Sequence, residues 1–113
     1  MTGAPRRHPA HAAALLVAAA LALAGCAGGR NPERHTVEIR NFVFTPARVA
    51  VREGDEVTFV NHDAVPHTAT AADGSWDTGN IPANGSAVVR VKGTGAYKCT
   101  FHPTMTGELT VAK

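Results

Sequence analysis

Arg48-Val49-Ala50-Val51-Arg52-Glu53-Gly54-Asp55-Glu56-Val57-Thr58-Phe59-Val60-Asn61 decides the fold class. Val49 and Val51 alternate with Arg48 and Arg52, and Val57 and Phe59 alternate with Thr58. A period of two puts every second side chain on one face, the pattern of a half-buried strand. Glu53-Gly54-Asp55 separates the two runs as a turn, and the adjacent Asp55 and Glu56 carboxylates are expected to be solvated there.

The same period extends in both directions. Upstream, Val37 and Ile39 alternate with Thr36, Glu38 and Arg40, and Phe42 and Phe44 continue an apolar edge until Pro46 interrupts it. Downstream, after an irregular stretch, come Ala87, Val89 and Val91, then Tyr97 and Cys99 about Lys98, and last Leu109 and Val111. Beyond residue 30 no window carries a helical stripe. Short strands set apart by Gly, Pro and Asn turns predict an all-β protein, a Greek-key antiparallel β-sandwich over residues 35–113. Trp76, the sole Trp, is expected to pack in the core or at its edge.

The N-terminal quarter has a different composition. Residues 10–24 hold nine Ala and five Leu or Val with no charge, behind the basic pair Arg6-Arg7. The apolar run Ala12–Ala24 is 13 residues long, short of the span needed for a hydrocarbon layer of about 30 Å, and reads as the core of an export signal. Leu23-Ala24-Gly25-Cys26 resembles a bacterial lipobox, so residues 1–25 are read as a lipoprotein signal peptide and Cys26 as the lipidated new N-terminus. An ordinary signal peptide with a chance Cys, or a twin-arginine signal on Arg6-Arg7, are the alternatives. Residues 26–34, rich in Gly, Pro and charge, read as a flexible tether.

Removing residues 1–25 from the 113-residue chain leaves 88, with nine Lys or Arg against nine Asp or Glu. A neutral domain without a basic cluster has nothing to neutralise phosphates, which excludes a nucleic-acid partner. So short a chain supports one thin core. The two cysteines are Cys26 and Cys99. In an exported protein they could form a disulfide, but Cys26 has a lipid-acceptor context and Cys99 has other company.

That company is Cys99-Thr100-Phe101-His102-Pro103-Thr104-Met105. A thiol, an imidazole and a thioether lie three residues apart at the junction of two expected strands, where a tight loop can turn all three toward one point. Asn61-His62-Asp63-Ala64-Val65-Pro66-His67 offers further imidazoles in another inter-strand loop, and on spacing alone either His62 or His67 could reach the same end. Two imidazoles, a thiolate and a weak thioether are the donor set of a blue-copper site. Thiolate and thioether favour Cu(I), imidazole suits both oxidation states, and a trigonal arrangement tolerates either, so little has to move when an electron arrives. Met105 is the only Met beyond residue 1, and it shares one seven-residue loop with Cys99 and His102.

On these residues, on the F-x-F-x-P opening and on G-D-E-V-T-F-V-N, the sequence resembles the cupredoxins, within them the amicyanin and plastocyanin-like group. The short C-T-F-H-P-T-M loop looks most like amicyanin, since plastocyanin and pseudoazurin have a longer His-to-Met segment. The resemblance implies one type 1 copper ion held by His67, Cys99, His102 and Met105. His67 matches the family position after Val65-Pro66, whereas His62 is expected to face water and His35 to be incidental. It implies also that the His102 ring edge is the electron port within an apolar patch of Ala64, Val65, Pro66, Phe101 and Pro103, docking redox partners such as a dehydrogenase, cytochrome or oxidase transiently. Phe101 stands where amicyanins usually have Pro, and Thr68 where they often have Asn, two changes beside the site that could retune it.

The expected function is one-electron carriage by an exported, lipid-anchored, monomeric protein outside the cytoplasmic membrane. Copper storage or delivery is the alternative, although such proteins favour open sites rich in exposed Met or His. A metal-free interaction domain would leave Cys99 without a role. No enzyme is expected: four ligands close the metal site, and the chain lacks G-x-S-x-G, H-E-x-x-H and P-loop motifs.

Overall fold

A computed structural model describes residues 31–111. The signal segment, Cys26 and the first residues of the tether lie outside that range. Eight strands succeed one another with no helix among the described residues: β1 (Arg34–Arg40), β2 (Val43–Thr45), β3 (Arg48–Val51), β4 (Glu56–Asn61), β5 (Thr70–Ala71), β6 (Ser86–Arg90), β7 (Gly95–Lys98) and β8 (Thr106–Val111). They form two four-stranded sheets, ordered β2-β1-β4-β6 and β3-β8-β7-β5. The chain changes sheet after β2, β3, β4, β5 and β6, so neighbours in space are mostly not neighbours in sequence. The all-β sandwich expected from the sequence is observed.

Each sheet is mixed. β1 runs parallel to β4, with Val37 opposite Phe59, and β3 runs parallel to β8. The other pairs are antiparallel. Alternation specifies which face of a strand is buried and says nothing of the direction of its neighbour. Here β2 reverses from β1, β3 departs to the other sheet, and β4 returns beside β1 running the same way.

Residues 48–61 follow their period of two. Val49, Val51, Val57 and Phe59 are buried, whereas Ala50 faces outward and Thr58 is half-buried. Their turn joins two sheets and does not close a hairpin. Gly54 takes φ 93°, which suits a residue without Cβ, and its N–H reaches Val91 O at 2.9 Å. Asp55 departs from expectation: it is 1% exposed, not solvated. Its carboxylate accepts the main-chain N–H of Glu33 and of Arg52, and His35 Nε2, each at 2.9 Å. A buried carboxylate is tolerable only when its oxygens are satisfied. Asp55 thus staples the start of β1 to the β3–β4 turn, and His35, read as incidental, is part of the staple.

Between the sheets lies one core drawn from both. Phe44 and Phe59 of the first sheet meet Tyr97 of the second edge-on, with ring centroids 4.8 and 5.4 Å apart. Trp76 stacks on Phe59 at 6.0 Å, so the sole Trp packs at the core's edge as expected. Phe42 does not join Phe44 inside: Asn41 and Phe42 adopt φ 53° and 63° in the β1–β2 turn, which leaves Phe42 47% and Val43 52% exposed.

Tyr97 is 1% exposed, and its hydroxyl is buried with no hydrogen-bond partner among the described residues. Its tip lies against Gly107, where a Cβ would meet Cζ at 2.3 Å, so only glycine fits opposite this ring. An unpaired buried hydroxyl costs about 1–3 kcal/mol of desolvation. Tyr97→Phe is therefore expected to leave thermal stability unchanged or raise it by up to about 1 kcal/mol. Burial also pushes the phenol well above its ordinary value of 10.0. Above that pH the unfolded chain loses this proton while the folded chain keeps it, so stability falls as pH rises. Unfolding curves from pH 8 to 11 should show a steeper alkaline loss for the wild type than for Tyr97→Phe. Equal slopes would contradict this account.

Candidate metal centre

Two loops meet at one end of the sandwich. The first runs from the end of β4 to His67 and is organised by Asn61, fully buried, whose side-chain amide donates to Val65 O (2.9 Å) and Ile81 O (3.1 Å) and whose Oδ1 accepts the Asp63 N–H (2.9 Å). His67 is then held by a two-way bridge to Ile81, N–H to O at 3.1 Å and O to N–H at 2.7 Å. The second loop is Cys99–Met105, between Lys98 of β7 and Thr106 of β8, which pair directly. It is cinched by His102 N–H to Cys99 O (3.3 Å), Met105 N–H to His102 O (2.9 Å) and Cys99 N–H to Met105 O (3.1 Å).

Thr68 ties the loops together. Its N–H points to Cys99 Sγ at 3.3 Å, and its hydroxyl accepts the Thr100 N–H at 2.9 Å and contacts the hydroxyls of Thr70 and Thr100 at 3.0 and 3.2 Å. The position singled out as unlike amicyanin is thus a hydroxyl clamp across the site.

These bonds bring the sequence-selected residues together. Cys99 is a free cysteine at 0% exposure, and its Sγ lies 3.8 Å from Nδ1 of His67, itself at 0%. The His67 and His102 ring centroids are 5.3 Å apart. Met105 is buried at the closing end of the loop, and His102 is half-buried. His62 stands apart, exposed, with Nε2 paired to Glu38 at 3.0 Å.

Sequence reasoning missed two residues. Asp63 Oδ2 sits 2.9 Å from His67 Nε2. Partial burial works to raise the Asp63 pKa, but hydrogen bonds from Phe42 N–H, the His67 ring and Asn41 N–H outweigh it and hold the carboxyl below its ordinary range. An ionised carboxylate only accepts, so Nε2 is the ring nitrogen placed to donate to it, while Nδ1 faces Cys99 Sγ. Phe42 is the second: its ring stands edge-on to His67 at 5.1 Å and to His102 at 4.9 Å. The H-D-x-x-x-H spacing held the only signal for Asp63; nothing local marked Phe42.

The donors suit a thiophilic transition-metal ion. Two atoms each about 2.0–2.3 Å from one metal can be separated by the observed 3.8 Å. Thiol sulfur with imidazole nitrogen, screened from water, is a set that selects copper or zinc. Glu33, His35 and Asp55 also gather ligand atoms within 4.8 Å elsewhere. There Asp55 is committed to the staple described above.

The sequence profile of the cupredoxin-like domain matches residues 12–111. The chain belongs to the cupredoxin-like family. Among solved structures this cupredoxin is similar to an oxidized amicyanin in which a methionine is replaced by leucine, at 25% identity and TM-score 0.64, covering 69% of this chain and 81% of that one. It is similar also to a reduced amicyanin in which a proline is replaced by phenylalanine, at 27% identity and TM-score 0.60, covering 70% and 82% respectively. No curated protein matches.

Proposed function

We propose that this cupredoxin carries single electrons by cycling one bound copper ion between Cu(II) and Cu(I), with His67, Cys99, His102 and Met105 as ligands. The observation that carries the reading is the buried pair of Cys99 Sγ and His67 Nδ1, 3.8 Å apart, with the other His67 nitrogen committed to Asp63. Copper supplies a one-electron couple compatible with thiolate, imidazole and thioether donors. The chain's own residues supply rigidity: the Thr68 clamp, the Ile81 bridge and the Cys99–Met105 turns restrain the donors, so little rearranges between states. Complete burial of Cys99 and His67 excludes water from the thiol. The amicyanins similar to this chain, solved oxidized in one case and reduced in the other, support the same reading.

Half-buried His102 is the electron port. Phe101 (51% exposed) and Pro103 flank it in sequence, Val65 (37%) and Pro66 are exposed in the loop that ends at His67, and the exposed Phe42 ring stands edge-on to it at 4.9 Å. Exposed apolar side chains of this kind suit brief docking of a redox protein. Cys26 is the lipid attachment point, holding a monomeric domain to a membrane outside the cytoplasm through the tether of residues 26–34. Cys26→Ala should move the protein from the membrane to the soluble fraction, and continued membrane association would contradict lipidation.

A chelator challenge separates carriage from copper delivery. Closed by buried donors, the centre should retain its copper through repeated reduction and reoxidation beside a Cu(I) chelator. Rapid surrender of the ion on the first reduction would favour delivery.

A further inference from the structure

Asp63 binds more than His67. Its Oδ1 accepts the Asn41 N–H at 2.6 Å and its Oδ2 the Phe42 N–H at 2.9 Å, alongside His67 Nε2 at 2.9 Å. Asn41 and Phe42 are consecutive non-glycine residues in the left-handed region, at φ 53° and 63°. That conformation costs roughly 1–2 kcal/mol per residue and persists only where the surroundings hold it. The two N–H bonds to a carboxylate are such a hold, since charge-assisted bonds are about twice as strong as neutral ones. What the turn presents is the Phe42 ring, edge-on to both imidazoles at 5.1 and 4.9 Å. A phenylalanine spent 47% exposed in a strained turn gains little from burial, which directs attention to those two ring contacts.

We infer that Asp63 is the positioning residue for both imidazoles of the centre: it fixes the His67 proton on Nε2, and it latches the Asn41–Phe42 turn so that the Phe42 ring restrains His102. The action on His67 is direct, and that on His102 is relayed through main chain and ring. One carboxylate from the β4–His67 loop thereby joins three separate segments, the β1–β2 turn, His67 and the Cys99–Met105 loop. Carboxylates behind metal-bound imidazoles typically contribute 10–100-fold in metal affinity by fixing the tautomer and raising ligand basicity. The significance for copper rests on the reading under Proposed function; the tautomer and the turn do not.

The test is therefore made first on metal-free, full-length, 15N-labelled protein at pH 8, by long-range proton–nitrogen correlation of the histidine rings. His67 should be the Nε2–H tautomer in the wild type and a mixture in Asp63→Ala. Phe42→Ala, a surface change compatible with folding, should leave the His67 tautomer intact while altering the His102 ring signals. With copper added, Asp63→Asn should bind the ion 10–100-fold more weakly and show a raised reduction potential, because a negative charge that favours Cu(II) is gone. Wild-type His67 found as the Nδ1–H tautomer would overturn the inference without any variant. So would an unchanged tautomer in Asp63→Ala, or His102 signals insensitive to Phe42→Ala. If instead the tautomer results hold but no copper binds, it is the carrier reading that fails.

Discussion

Cys99→Ser is expected to abolish the intense visible absorption of the copper-loaded protein completely. The band requires a thiolate bound to Cu(II), and Cys99 is the free, fully buried thiol beside His67. Serine replaces a soft donor with a hydroxyl that is not ionised near neutral pH, so Cu(I) affinity should fall by more than the ~100-fold associated with losing a supporting residue. That corresponds to over ~2.8 kcal/mol at about 1.4 kcal/mol per decade. Folding should survive, since serine is close in size to cysteine and can accept the Thr68 N–H now pointing at sulfur. Circular dichroism separates loss of the centre from loss of the fold. A variant that keeps its colour would place the chromophore elsewhere.

His67→Ala is expected to have the second-largest effect. It removes an imidazole at 0% exposure, leaves Asp63 Oδ2 without its ring partner, and opens a cavity between the loops. Blue absorption should be lost, and the apoprotein should lose about 2–4 kcal/mol through the cavity and the lost bond between ring and carboxylate. His62→Ala gives the contrast: His62 is exposed and its ring pairs with Glu38, so colour should persist and stability change by under ~1 kcal/mol. Loss of colour in His62→Ala alone would reverse the choice between the two residues.

The strands and the metal loop were legible because their information is local. Alternation at Val49, Val51, Val57 and Phe59 marks faces without reference to distant residues. Cys99, His102 and Met105 lie in one loop, closed by its own main-chain bonds. Asp55, Asp63 and Phe42 were not legible, because what each does depends on partners far along the chain. Asp55 is buried by bonds to Glu33 and His35, 22 and 20 residues away. Asp63 meets Asn41 and Phe42, 22 and 21 residues upstream. A carboxylate in a turn looks solvated until the crossing of strands between sheets brings donors to it. The parallel pairing of β1 with β4 was hidden for a related reason, as side-chain period carries no strand direction. Phe42 read as continuing an apolar edge with Phe44 because its type is apolar, while its left-handed backbone turned it toward the imidazoles.

Stepwise redox titration of the full-length protein with one equivalent of copper tests the central claim most directly. An intense thiolate-to-copper absorption should saturate at one equivalent of Cu(II), bleach with a single electron and return fully on reoxidation. A colourless complex, or a colour that does not return after reduction, would contradict that claim.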